Sequence, residues 1–273
     1  MSYDGELRVL PVVGLPEIEA GANLGERIAE RAELKDGDVL VISQKAVSKA
    51  EGRVRKLSSV IPGAEARRLA AVLGKEPALV QLILDESKEV LRAERNVLIT
   101  ETHHGFVCAN AGIDTSNLPE EGTVCLLPED PDASARRIRH ELGVAAGELE
   151  EGLSRQKRGV SGKAHPKLPT TIGVVISDSF GRAWRLGQAE VAIGCAGLLP
   201  LDDWRGRHDA HGRKLETTQI AIADEAAAAA DLVRSKDSRV PVVIVRGLDR
   251  FVSKDDGAGS AALRRPPQED LFR

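Results

Sequence analysis

The stretch VVISDSFGRAWRLGQ, residues 174–188, decides how the chain is read. Val174, Val175 and Ile176 belong to an apolar run that reads as a buried strand, and the run ends on Asp178 and Ser179. Arg182 and Arg185 follow at once. If a helical turn succeeds the strand, their spacing of three puts both cations on one face. A carboxylate and a hydroxyl at a strand end, with arginines close behind, suit a metal ion and a phosphate.

Similar apolar runs recur on either side. DVLVIS (38–43) reads as a strand buried on both faces, LRVLPVV (7–13) as a first strand, and VPVVIVRGL (240–248) as a last central one. GERIAERA (25–32), residues 64–73, residues 77–93 with Pro77 in the first turn, and EAAAAADLVR (225–234) read as helices. NVLIT (96–100) and GFVCA (105–109) are strands about a turn at His103 and His104, and LETTQIAIAD (215–224) is a further strand. Asp130 with Pro131 signs the start of another helix. Strands alternating with helices make an α/β protein, and the adjacent strands add antiparallel, α+β-like pieces. Residues 148–169 turn basic and loop-like and read as a mobile insertion, while 251–273 form a polar tail that reads as partly disordered. The body is thus expected over residues 1–250.

Composition narrows the function classes. Of 273 residues 42% are hydrophobic and 29% charged, the balance of a soluble domain with a large core. Aromatics are only 3%, too few for base-stacking platforms, and a net charge of −4 gives no general pull towards nucleic acid or anionic membrane. No apolar run reaches membrane-span length and the first residues do not form a secretory signal, so a cytoplasmic protein is expected. Cys108, Cys125 and Cys195 make no CxxC and read as buried free thiols.

The acids at strand ends carry the chemistry. Asp114, followed by Thr115, Ser116 and Asn117, comes after ANAGI much as Asp178 comes after GVVI. Mg²⁺ and Mn²⁺ prefer hard oxygen ligands, often one or two carboxylates completed by substrate phosphates. Short acids also cap turns, and the residues alone leave both readings open. Cations gather in the same kind of place: Lys45, Lys49 and Arg53 after DVLVIS, and Arg205, Arg207, His208, His211, Arg213 and Lys214 in WRGRHDAHGRK. Loops at strand ends are where α/β proteins bind ligands. Neither a P-loop, a GxGxxG, a GxSxG nor an HExxH is present, and the pair His103–His104 lacks partners at zinc spacing. The residues indicate a metal-assisted site for an anionic, phosphorylated ligand.

Six stretches together resemble the coenzyme F420-0:γ-glutamyl ligase family: residues 10–24, 36–53, 104–118, 126–142, 174–201 and 212–233. The resemblance implies a two-lobed fold of mixed parallel and antiparallel sheets, a homodimer, and a GTP-dependent ligase using Mg²⁺ or Mn²⁺. Such enzymes add L-glutamate to the deazaflavin coenzyme through an acyl phosphate. Carried onto this sequence, Asp114 and Asp178 correspond to ligands of one ion and Ser179 to a ligand of a second. Leu15, Pro16, Glu17, Ile18, Lys49 and Asn117 correspond to the nucleotide site, as does Gln44, where some members carry a hydroxyl. Arg182, Arg185 and Gln188 lie in the most distinctive motif and are expected to hold phosphate or carboxylate. The segment RSKDSRV (234–240) corresponds to a nucleotide- and metal-contacting stretch in which Lys236 stands where some members have an acid or amide. An alternative is phosphoryl transfer to another carboxylate on the same fold; a non-catalytic anion-binding module is the third reading.

Overall fold

The computed structural model describes residues 5–116, 118, 120–156 and 171–270. In chain order the elements are β1 (Arg8–Pro11), α1 (Leu24–Ala29), β2 (Val39–Ser43), α2 (Gln44–Ala50), β3 (Val54–Lys56), α3 (Ala64–Leu73) and α4 (Pro77–Asp85). There follow β4 (Ser87–Glu94), β5 (Val97–Thr102), β6 (Val107–Ala109), β7 (Thr123–Cys125) and α5 (Pro131–Gln156). The chain continues with β8 (Gly173–Arg182), β9 (Arg185–Ala196), β10 (Asp202–Asp203), β11 (Gln219–Ile220), α6 (Ile222–Asp231) and β12 (Val242–Arg246).

The main sheet has the order β1-β12-β2-β8-β9. β2 and β8 run parallel and the remaining pairs are antiparallel, so the sheet is mixed, as expected of an α/β protein. Its central strands are apolar on both faces because both faces are covered. Leu40, Ile42, Val174, Ile176 and Ile244 pack with Ile28 of α1 and Ile138 and Leu142 of α5. Val39, Val41, Val175, Val243 and Val245 meet Ala223, Ala226, Ala227 and Ala230 of α6. Those alanines recur at helical spacing, so one smooth stripe of α6 lies against the valines. A separate core joins α3 and α4 to Leu98 of β5, on the three-stranded sheet β4-β5-β6.

Several boundaries differ from the sequence reading, each for a local reason. The helix read over 77–93 stops at Asp85, and residues 87–94 pair with β5 as an edge strand. Arg95 and Asn96 both take positive φ, 49° and 62°, forming the two-residue hairpin turn that reverses the chain. Residues 148–156 extend α5 rather than opening a loop; 157–170 fall outside the described residues. Only Gln219 and Ile220 of LETTQIAIAD pair as a strand before α6 begins. Between residues 251 and 270 the tail is packed rather than disordered: Leu199 N donates to Phe251 O, and buried Ser260 donates through Oγ to Ile193 O.

Candidate active site

The sheet itself locates the site. Ser43 lies beside Ser177 at the end of the parallel pair β2–β8. There the chain after β2 turns into α2, whereas β8 continues past Asp178 with β9 as a two-stranded ribbon. The strand therefore does not end on Asp178; it passes there from the buried core to half-covered surface. Arg182 and Arg185 face each other across the ribbon's turn, not along a helical face.

Asp114 reaches the same place from a different part of the chain. It follows a tight turn in which Ala111 and Gly112 have positive φ. A Cβ on Gly112 would lie 2.8 Å from the Leu127 side chain, so only glycine lets this turn close. Asp114 N donates to Cys125 O (3.0 Å) and Cys125 N to Asp114 O (2.8 Å), which pins the backbone. Its carboxylate accepts from Lys45 Nζ at 2.7 Å and from Ser116 N and Oγ, each at 2.7 Å. Burial opposes ionisation, but those donors outweigh it and hold the carboxyl below its ordinary range.

Asp178 behaves in the opposite way. Burial, then the facing Glu190, push its carboxyl up to about 7; Asp114 adds to the rise, and the Ser179 N–H and Lys45 act against it. Glu190 itself is buried, accepting from Ser179 Oγ at 2.5 Å and from Arg234 at 3.0 Å, while Arg234 also donates to Ser177 Oγ at 3.0 Å. Lys236 Nζ donates to Ser179 Oγ at 2.9 Å. Three acids and two hydroxyls thus face three cations across the β8–β9 ribbon. Sequence reasoning missed Glu190 and Arg234 as individuals. The visible signal for Glu190 was one acid heading the apolar run EVAIGCA.

The nucleotide expectations are partly gathered here. Glu17, from the segment Leu15–Ile18, bonds Lys49 Nζ at 2.5 Å, which brings that segment to α2. Pro16 is exposed and Ile18 is anchored in the core. Gln44 is buried at the start of α2 and accepts from Ser48 Oγ at 3.0 Å. Asn117 lies outside the described residues. Arg182, Arg185 and Gln188 stand on the exposed part of the ribbon, Arg182 donating to Leu186 O at 2.8 Å. The cysteines are buried and free as expected; burial lifts Cys108 and Cys195 to about 12 and Cys125 to about 11.

Oxygen donors are what a hard divalent cation takes, and Asp114, Asp178 and Ser179 supply them. Among the described residues no three His, Cys, Asp or Glu side chains form a self-contained metal cage. Mg²⁺-type sites need none, because substrate phosphates complete their shell. Burial and two neighbouring acids raise the Asp178 carboxyl, and a cation bound beside it would favour its charged form. The residues fit such an ion.

A family model described as F420-0:Gamma-glutamyl ligase matches residues 13–149 and 159–247. The chain belongs to the F420-0:gamma-glutamyl ligase family. It is 42% identical over 273 residues to a coenzyme F420:L-glutamate ligase of Methanocaldococcus jannaschii, covering 98% of each chain. Ligases of the same description from Methanothermobacter thermautotrophicus and Methanopyrus kandleri are each 41% identical, with 98% of this chain covered and 99% and 98% of theirs. The gamma-glutamyl ligase match spans both Asp114 and Asp178. Among the described residues no helix is long and apolar enough to cross a membrane.

Proposed function

We propose that the chain joins L-glutamate to the deazaflavin coenzyme F420-0, consuming GTP and requiring Mg²⁺ or Mn²⁺. The observation that carries the reading is the meeting of Asp114 and Asp178, from separate segments, beside Lys45 at the end of the parallel strand pair. The names of the full-length relatives supply the substrate and the amino acid.

In this reading GTP gives its terminal phosphoryl group to the acceptor carboxylate, forming an acyl phosphate and GDP. The amine of glutamate then attacks the acyl carbon, the amide forms, and inorganic phosphate leaves. Every reactant is anionic, so charge neutralisation and positioning do most of the work. Asp114, Asp178 and Ser179 would hold the divalent ions, whose chemistry is to neutralise the phosphate oxygens. Lys45 and Lys49, paired with Asp114 and Glu17, are the cations that can turn to a phosphate. Arg234 holds Glu190 in place behind Ser179. The working unit in this reading is a homodimer. Leu186, 98% exposed, and Trp184, 80% exposed, offer apolar surface on the ribbon end for a second copy to cover.

The test is incubation with GTP, Mn²⁺, L-glutamate and tail-less deazaflavin, with mass spectrometry of the acceptor. Glutamate additions matched by GDP are expected. GTP turnover with a different carboxylic acid, and none with the deazaflavin, would replace the acceptor while keeping the phosphoryl transfer.

A further inference from the structure

One pocket of about 250 Å³ opens beside this site, where the first turn of α5, the His104 turn and the C-terminal tail meet. Its lining includes His104, Phe106, Asp130, Asp132, Arg136 and Arg264. The acids are committed to the fold. Asp132 accepts from Cys195 N and Ser260 N, and Asp130 accepts from Ala133 N. The cations are not. Arg136 is exposed and has no hydrogen bond or ion pair among the described residues, and Arg264 touches a carbonyl (His104 O) and the Phe106 ring but no carboxylate. His104 Nε2 faces the carbonyls of Pro128 and Glu129, while its buried Nδ1 has no partner. Two guanidinium groups not ion-paired to the neighbouring Asp130 and Asp132, which are held by backbone N–H groups, and an unmatched ring nitrogen make a receptor for a small anion with hydrogen-bonding groups.

The pocket neighbours the carboxylate site through its Phe106 wall. The Phe106 ring meets Phe180 edge-on at 6.2 Å, and Phe180 lies two residues beyond Asp178 on β8. Two strand residues span about 7 Å. Cys108, two residues after Phe106, is near enough for Asp178 to influence its thiol. A ligand seated on Arg136 and Arg264 would therefore lie across the Phe106 and Phe180 rings from the place where the acyl group is activated. The volume suits a short chain rather than a fused ring system.

We propose that this pocket holds a glutamyl carboxylate, with Arg136 and Arg264 as its binding residues. The inference rests on the ligase reading and names a subsite for it. Two sources share the chemistry: the incoming amino acid, and the glutamyl unit last added to the acceptor. Arg136→Gln removes an exposed cation at little structural risk, and Arg264→Lys keeps charge while losing the planar fork.

Initial rates are measured for both variants with the tail-less acceptor and with the acceptor already carrying one glutamate. A KM for free glutamate raised about tenfold or more in the first addition, with the KM for GTP unmoved, supports a seat for the incoming amino acid. A normal first addition with a ladder that stops after one unit supports a seat for the added residue. Wild-type kinetics in both variants, for both acceptors, would overturn the proposal. Calorimetric titration with L-glutamate separates failure of the pocket from failure of the ligase reading. If the wild type transfers no glutamate, binding that Arg136→Gln abolishes still supports the pocket, and titrations that match or show no binding refute it.

Discussion

Two aspartates with raised carboxyls, Asp178 and Asp224, serve different ends. Asp224, in the first turn of α6, is lifted chiefly by burial, against the hydrogen bond it accepts from Ala192 N at 2.8 Å. Its unfolded form loses the proton at lower pH than the folded form does. Ionisation therefore costs stability, a cost that grows as pH rises from the ordinary aspartate value through the raised one and is full above it. Asp224→Asn keeps the oxygen that Ala192 N needs and removes the charge. It should match or exceed the wild-type melting temperature at pH 7, with the advantage fading towards pH 4. Asp224→Ala should instead lose about 1–3 kcal/mol, because the Ala192 N–H is left unpaired. Melting curves of both variants across that range would decide, and an Asn variant as weak as the Ala variant at pH 7 would sink the argument. For Asp178 the same burial, beside Glu190 and Asp114, leaves a carboxyl whose charged form a bound cation would favour. Asp178→Asn should reduce kcat by about a hundredfold or more, the scale of losing one group that stabilises a developing charge. A shift confined to KM would place Asp178 outside the chemical step.

At the scale of elements, α1 and α5 show how a glycine sets a crossing. Gly25 sits where an added Cβ would lie 2.4 Å from the Glu141 Cβ and 2.8 Å from the Leu142 backbone nitrogen. Gly25 N also donates to Glu141 Oε2 at 3.0 Å. Gly25→Ala must push α1 off α5, and denaturant unfolding should register a loss of about 1–3 kcal/mol despite the better helix propensity of alanine. Stability unchanged or improved would mean the crossing yields freely. Elements defined by their own residues were legible in the sequence: β2, β8 and β12 from apolar runs, α3 to its boundaries, and α5 from Asp130 and Pro131. Elements defined by partners were not. KEVLRAE carries apolar residues at spacings a helix tolerates, and only the Arg95–Asn96 turn and the free edge of β5 make it a strand. The site divides in the same way. Asp114 and Asp178 stood out because an acid ended an apolar run, whereas Glu190 and Arg234 are functional neighbours only because strand pairing and α6 bring them together.

Across the whole molecule, the two acids come from segments with separate cores, and their alignment depends on what joins those cores. Arg53 is one polar joint between them. Its backbone N–H donates to Ser48 O and its carbonyl accepts from Leu126 N, while its guanidinium donates to Leu127 O at 2.9 Å and to Glu86 Oε2 at 2.7 Å. One residue thereby ties the end of α2, which carries Lys45 and Lys49, to the start of β4 and to the strand that pins Asp114. Arg53 and Glu86 are each less than a fifth exposed, so the pair is worth more than a surface salt bridge, and removing one partner strands the other. Arg53→Met should cost about 2–3 kcal/mol of unfolding free energy, whereas Arg53→Met with Glu86→Leu should recover part of that loss because no buried charge is left over. Strictly additive losses in the double variant would deny the coupling. The joint also makes a functional prediction. If Arg53 keeps Asp114 opposite Asp178, the single variant should need more Mn²⁺ for half-maximal glutamate transfer at a temperature where it is fully folded, and the double variant, which restores packing but not the Leu127 contact, should remain shifted. A metal requirement identical to the wild type in both would confine Arg53 to stability and leave the alignment to Lys45 alone.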